Sequence, residues 1–376
     1  MAGDPREAAL LDRVRLFAQE VVAPGARDWE RERRIDRDAL KRAAELGLMA
    51  IEVPSEHGGL GMRFSCKAQM TRRLAAADFG FAMSVVNSHN IAAKLPALAS
   101  STLTQRYLPG IMSGELIGCT ALTEPHAGSD FAAIATSAAR TSAGWVLDGH
   151  KAWIVNAAIA DVMMVYAQTE PGSGARGIAA FLVTAGREGF RREAPYTLAG
   201  QHTIGTGGFV LERYEVEEQA MLSPPGEAFR QALVGINGAR CYVGAMCCGM
   251  VEAALEIAAD YGRRRTTFGE PLTAHQGWRW ALADAATDLA AADALVETAA
   301  RTIDAREDAQ LVAAKAKVFA TRMAERHLPI LLQRMGAEGL RDNYPLGRHL
   351  LGARVAGFVD GTTEILLERV ARGYAR

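Results

Sequence analysis

Apolar residues recur at three- and four-residue spacing from Pro5 to about Arg27 and again from Asp36 to Leu46, which predicts two amphipathic helices. Asp36 is placed to cap the second helix and Gly47 to end it. The next stretch, Pro54-Ser55-Glu56-His57-Gly58-Gly59-Leu60-Gly61, holds three glycines in four residues and predicts an irregular turn. Helix then extends to about Ser113. In the middle third the period shortens. Trp145 to Asp148, Val162 to Tyr166, Ile178 to Val183 and Phe209 to Val216 are short β-prone runs separated by Gly, Pro and Ser clusters, the pattern of a compact antiparallel β-domain. After Ser223-Pro224-Pro225-Gly226 the helical period returns, and Phe229, Leu233, Ile236, Val243, Met246, Met250, Ala254 and Ile257 form one stripe about nine turns long. Two alanine-rich helices follow, over roughly 274–304 and 307–335, and their small side chains favour close antiparallel packing. The pattern predicts three parts: an N-terminal α-helical domain over 1–115, a central β-domain over 116–224 and a C-terminal α-helical bundle over 225–376.

Composition narrows the function classes. The chain has 376 residues, 49% of them apolar, beyond what a single core of about 250–300 residues accommodates. Its 42 basic and 43 acidic residues are interspersed and leave a formal charge of -1, so no basic footprint for nucleic acid exists. The run Arg263, Arg264, Arg265 is the local exception. Five cysteines, Cys66, Cys119, Cys241, Cys247 and Cys248, show no paired metal-ligand spacing, so no metal site is expected and the thiols fit a reducing compartment. The start of the chain has no basic region followed by an apolar run, and no continuous stretch of about 18 apolar residues occurs, which predicts a cytoplasmic protein without a membrane span.

Candidate chemistry lies in short segments between these elements. Thr123-Glu124-Pro125-His126-Ala127-Gly128-Ser129-Asp130 follows the first helical domain; Gly149-His150-Lys151-Ala152-Trp153-Ile154-Val155-Asn156 ends a predicted strand. Arg265-Thr266-Thr267-Phe268-Gly269-Glu270-Pro271-Leu272, followed by Gln276, closes the long helix; Gln333-Arg334-Met335-Gly336-Ala337-Glu338-Gly339 closes another. Phe358-Val359-Asp360-Gly361-Thr362-Thr363-Glu364-Ile365 lies near the end of the chain. These segments, with the Pro54 to Gly61 turn, resemble the signatures of the acyl-CoA dehydrogenase family over essentially the whole chain. The resemblance implies that family's fold: mainly α with a central β-domain, comprising an α-helical domain, a β-barrel domain and a C-terminal four-helix bundle. It also implies FAD in the crevice between sheet and bundle.

By the same resemblance, Thr123 and Ser129 contact the flavin ring and phosphate region, and Trp153 packs against the isoalloxazine. Val155 stands where the family has a threonine that hydrogen-bonds flavin N5; a valine side chain offers no such bond, so only a backbone group serves N5. Arg265, with Phe268 and Gln276, matches the stretch whose guanidinium reaches the FAD pyrophosphate of a neighbouring subunit. Gln333 and Gly336 match the element near the adenosine portion, so a homotetramer or homodimer is implied. Thr362 and Glu364 match flavin contacts, and Arg240 and Gly361 belong to the substrate side. Asp360 occupies the position of the family's usual catalytic glutamate. Some members carry the base just before an arginine in the long helix; that position is Ala239 here, so Asp360 is the acid at either known base position.

The implied reaction is α,β-dehydrogenation of an acyl thioester, on coenzyme A or an acyl-carrier protein in specialised metabolism. Electron-transfer flavoprotein or another acceptor would reoxidise the flavin. An aspartate draws the carboxylate back by about one bond, and misplacement near 1 Å costs about a hundredfold in rate. Two further readings stay open: a flavin oxidase resembling nitroalkane oxidase, which uses aspartate as carbon base, and a catalytically impaired FAD- or acyl-binding scaffold. His89 and Asn90 fall near the implied acyl pocket, as polarity-setting groups or as satisfied helix-end residues. Lys151 reads as a strand lysine snorkelling outward, and adjacent Cys247 and Cys248 as packing residues. Gly205-Thr206-Gly207-Gly208 lacks the following helix of a dinucleotide fingerprint.

Overall fold

The structure, a computed structural model, describes residues 4–374. Six helices come first: α1 (Pro5–Phe17), which runs through one π-turn into α2 (Ala23–Arg31), then α3 (Arg37–Glu45), α4 (Phe64–Ala77), α5 (Phe79–Leu98) and α6 (Ser101–Met112). Asp36 caps α3 by accepting from Asp38 N at 2.9 Å and Ala39 N at 3.2 Å. Strands β1 (Gly118–Ala121), β2 (Ser137–Arg140), β3 (Trp145–Ile154), β4 (Val162–Gln168), β5 (Ile178–Thr184), β6 (Phe190–Arg192), β7 (Gly207–Val216) and β8 (Met221–Ser223) form one sheet. The bundle comprises α7 (Ala228–Arg264), a small hairpin of β9 (Thr266–Thr267) and β10 (Glu270–Pro271), then α8 (Gln276–Asp304), α9 (Gln310–Arg334), α10 (Leu346–Phe358) and α11 (Thr363–Ala371).

The four strands legible in the sequence lie within β3, β4, β5 and β7; the unread ones, β1, β2, β6 and β8, are three or four residues long, too short for a period to show. The sheet order is β6-β7-β3-β2-β4-β5-β8, with β1 also on β4. The expectation of a purely antiparallel domain needs correction. β1 runs parallel to β4, with the β2–β3 antiparallel pair in the connection between them. Every residue of β4 is buried, because one face (Met163, Val165, Ala167) meets the sheet's own core and the other (Val162, Met164, Tyr166) meets α5 and α6. Cover on both faces is why β4 reads as a continuous apolar run rather than an alternating one.

α7 is the axis of the bundle. Its small residues let neighbours approach closely: a Cβ built at Gly249 would lie 2.1 Å from the Arg72 carbonyl oxygen of α4. By length and mean hydropathy α7 is apolar enough to cross a membrane, although polar residues such as Asn237 and Arg240 interrupt it and no continuous apolar run of about 18 residues occurs. Most of its apolar window is buried among α4, α8 and α9, as befits a core helix. Sheet and helices are pinned through Asn156. Its amide donates to Ser84 O at 2.9 Å and Gly118 O at 3.1 Å, and its Oδ1 accepts from the Ser84 hydroxyl at 2.6 Å.

Candidate active site

The turn between α10 and α11 is built from two successive left-handed residues, Asp360 at φ 54° and Gly361 at φ 94°. Aspartate tolerates this region better than most side chains, and glycine enters it without penalty. Thr362 then caps α11, its side chain accepting from Ile365 N at 3.4 Å. Two buried cations hold the turn by its carbonyls: Arg240 Nε of α7 donates to Asp360 O at 3.2 Å, and Lys317 Nζ of α9 donates to Gly361 O at 2.6 Å. Arg240 is itself oriented by Asn237, whose Oδ1 accepts from Nη1 at 2.8 Å. Among the described residues the Asp360 N–H has no hydrogen-bond acceptor, so it remains available as a donor.

Burial pushes the Asp360 carboxyl above its ordinary value, while Lys317, Arg240 and Lys94 pull it back in that order. The cations bear the reciprocal cost: burial brings Lys317 down to about 8 and Arg240 down to about 10, with Asp360 opposing both. Polar contacts join α4, α5 and α7 near this turn. Asn90 donates to the Tyr242 hydroxyl at 3.2 Å and accepts from Lys67 at 3.5 Å, and Lys67 is paired with Glu52. His89 is fully buried mid-way along α5, not at a helix end, and accepts from Glu52 N at 3.1 Å. Desolvation, with Lys67 nearby, lowers its pKa to about 3, so it is neutral.

On the sheet side, β3 is bulged in its pairing with β7 between Lys151 and Ile154. The bulge puts Trp153 at φ 59° and turns its indole outward, 58% exposed, supported edge-on by Tyr196 at 4.7 Å. Val155 is half-buried against the helical core. The Thr123 carbonyl accepts from Ala152 N at 3.1 Å, which fixes the Thr123–Asp130 loop beside this bulge and leaves Gly128, Ser129 and Asp130 exposed. Beneath lies an ion pair absent from the sequence reading. Lys151 does not snorkel: it is 0% exposed and donates to Glu124 at 2.7 Å and to Leu122 O at 3.1 Å. Glu124 also accepts from Ala135 N at 2.7 Å and Thr136 N at 3.0 Å. Burial would raise its carboxyl, but Lys151 and these donors hold it below the usual value. A lone charge on a strand at that depth would be too costly without its partner. The signal was legible only as a lysine on a strand whose neighbours Ala152 and Ile154 are buried.

The remaining site residues lie elsewhere. Arg265 and the β9–β10 hairpin cap the far end of α7, roughly 37 Å along the axis from Arg240 at about 1.5 Å per residue. Phe268 at the hairpin tip is 95% exposed, and Arg265, Gln276, Gln333 and Gly336 are all exposed. Within one chain the structure groups Asp360, Gly361, Thr362, Arg240 and the overlooked Lys317, and separately Thr123, Ser129, Trp153 and Val155. It does not bring Arg265, Phe268, Gln276, Gln333 or Gly336 to them. Glu364 is exposed on the first turn of α11.

These features fit a flavin. An outward-facing indole offers a flat apolar surface for an isoalloxazine, the Thr123–Asp130 loop presents hydroxyls and free backbone, and Arg265 carries a guanidinium suited to phosphate. The acyl-CoA dehydrogenase N-terminal, middle and C-terminal domain families match residues 4–115, 119–214 and 226–375. An acyl-CoA dehydrogenase of Bacillus subtilis (strain 168) is 34% identical over 94% of this chain and 93% of its own length. The acryloyl-CoA reductase (NADH) of Anaerotignum propionicum is 33% identical over 98% and 94%. The solved structure of butyryl-CoA dehydrogenase from Megasphaera elsdenii superposes with a TM-score of 0.95 at 27% identity, covering 100% of both chains. The domain matches, these relatives and the site geometry agree: the chain belongs to the acyl-CoA dehydrogenase family and is an FAD-dependent oxidoreductase that carries out dehydrogenation of the acyl-CoA dehydrogenase type.

Proposed function

We propose that this enzyme desaturates a short acyl thioester at its α,β-bond with Asp360 as the base. The observation that carries this reading is the clamped Asp360 turn, which sets a carboxylate of raised proton affinity beside an unpaired backbone N–H. The thioester carbonyl would accept from the Asp360 N–H, which acidifies the α-carbon. The carboxylate takes the α-proton, the C–H electrons enter the new carbon–carbon double bond, and the β-hydrogen departs with its electron pair. FAD, when bound, supplies the two-electron acceptor. Gly361 and Arg240 would line the substrate side, and the Asn90–Tyr242 contact would close the space between α5 and α7, which favours a short acyl group. The acryloyl and butyryl groups of the two named relatives are short as well.

Flavin contacts are assigned to Thr123, Ser129, Trp153, the Val155 backbone, Thr362 and Glu364 of one chain. A second copy would supply Arg265, Phe268, Gln276, Gln333 and Gly336, since the C-terminal stretch of α7 separates them from the Asp360 turn. An open groove of about 510 Å³ between α8, α9 and α11, lined by apolar Leu295, Phe319 and Leu367 and by charged Asp288, Lys315 and Arg322 among others, supports self-association as a homodimer or homotetramer. The thioester is carried on coenzyme A or on an acyl-carrier protein of specialised metabolism, and an electron-transfer flavoprotein serves as acceptor. The test is anaerobic titration of the yellow protein with short, branched and hydroxylated acyl thioesters on both carriers. Bleaching of the oxidised flavin by a short thioester supports the reading. Oxygen uptake with a nitroalkane instead, or a flavin that no thioester bleaches, would point to the oxidase or the scaffold.

A further inference from the structure

Several buried charged groups take no direct part in this reaction, and Lys317 is the one most tightly joined to its base. The side chain is 0% exposed in the middle of α9, an unusual place for an ammonium without a carboxylate in contact. Its hydrogen bond at 2.6 Å goes to the carbonyl of Gly361, the residue after Asp360. Arg240 holds the preceding carbonyl from the opposite helix. The two cations therefore grip successive peptides of a turn whose two residues both have positive φ. For Asp360, the non-glycine of the two, such a conformation persists only where its surroundings over-determine it. We infer that Lys317 is a positioning residue for the Asp360 base: through the Gly361 carbonyl it fixes the turn that aims the carboxylate and the Asp360 N–H.

This inference rests on the reading of Asp360 as the base. The charged and titratable groups facing Asp360 and its clamps are Lys94 on α5, Arg240, Tyr242 and Cys247 on α7, Lys317 on α9, and Glu364 and Arg369 on α11. Lys317 has the largest opposing influence on the Asp360 carboxyl, so its loss moves that group further up rather than down.

The experiment compares wild type, Lys317→Met and Asp360→Asn as flavin-loaded proteins, reading the rate of anaerobic flavin reduction against pH with the best thioester. The expected result for Lys317→Met is a rate reduced on the order of tenfold to a hundredfold and an acid limb moved up by about one pH unit. KM should change little, because Lys317 touches no substrate atom. If the Met chain does not fold, Lys317→Gln carries the same comparison, since it keeps a donor and loses the charge. An acid limb in the wild-type position, in whichever chain folds, overturns the inference even where the rate has dropped. Failure of the underlying reading looks different: Asp360→Asn would then reduce its flavin as fast as wild type.

Discussion

Two regions of α7, around Arg240 and at its C-terminal end, contrast sharply. Near Arg240 the helix meets a turn held at both carbonyls by buried cations, with Asp360 carrying a perturbed proton affinity. At Arg265 the helix ends in a two-residue-strand hairpin whose tip, Phe268, is 95% exposed. The Arg265 side chain makes no ion pair or hydrogen bond among the described residues. One region spends folding energy on burying charge to hold geometry; the other leaves an arginine unpaired and an aromatic ring exposed, with His275 edge-on to it at 6.4 Å. Buried charge is retained where the fold fixes its partners. An exposed ring beside an unpaired guanidinium invites completion from outside. The difference separates the part of the site that a single chain builds from the part assigned to a second copy.

The largest expected effect tests the braced region. Asp360→Asn should lower the rate of flavin reduction by about a hundredfold to ten-thousandfold, the usual contribution of a general base, while the protein stays yellow. Absorbance during anaerobic mixing reads both. Next comes the sheet side, which shares the logic of buried charge: Lys151→Met removes the buried ion-pair partner of Glu124 and leaves it only its backbone donors. The cost should be about 3–5 kcal/mol in urea unfolding. The exposed end should respond more mildly. Arg265→Ala should weaken flavin retention on the order of tenfold to a hundredfold, as for loss of one charge-assisted contact, without changing unfolding of the apoprotein. The flavin-to-protein ratio after gel filtration checks it, and a variant that loses stability but keeps its flavin would collapse the contrast. The smallest effect belongs to Val155→Thr, which returns a hydroxyl to the flavin side and should alter the reduction potential or rate a few-fold, on the order of one modest hydrogen bond.

Helical periodicity located α8 and α9 to within about three residues and followed α7 from its start to Ile257, because each keeps one buried stripe over many turns. The longer strands were legible as β-prone runs, β4 and β5 continuously apolar, and β1, β2, β6 and β8 were not, since three or four residues are too few to show either a run or an alternation. In the site, motifs placed Asp360, Trp153 and Arg265, but spacing alone cannot reveal what a motif's silent positions touch. Lys151 and Lys317 are the instructive cases. Each is a lysine with an ordinary surface profile by composition, and each is buried to hold a loop from another part of the chain. Their partners lie 27 and 44 residues away, and only the fold brings them together. His89 shows the reverse: a helix-end polar residue by pattern, it is a neutral core histidine because α5 continues past it to Leu98.

The central claim is that Asp360 takes the α-proton, and the most direct measurement is the pH dependence of anaerobic flavin reduction with a thioester deuterated at the α-carbon. The raised Asp360 pKa sets the sign: the base is ionised above it, so the rate should rise with pH and its acid limb should lie above the ordinary carboxylate range. Deuterium should slow the reaction on the plateau above that limb. A profile flat through the acid range, together with a rate indifferent to the α-deuterium, would contradict the account.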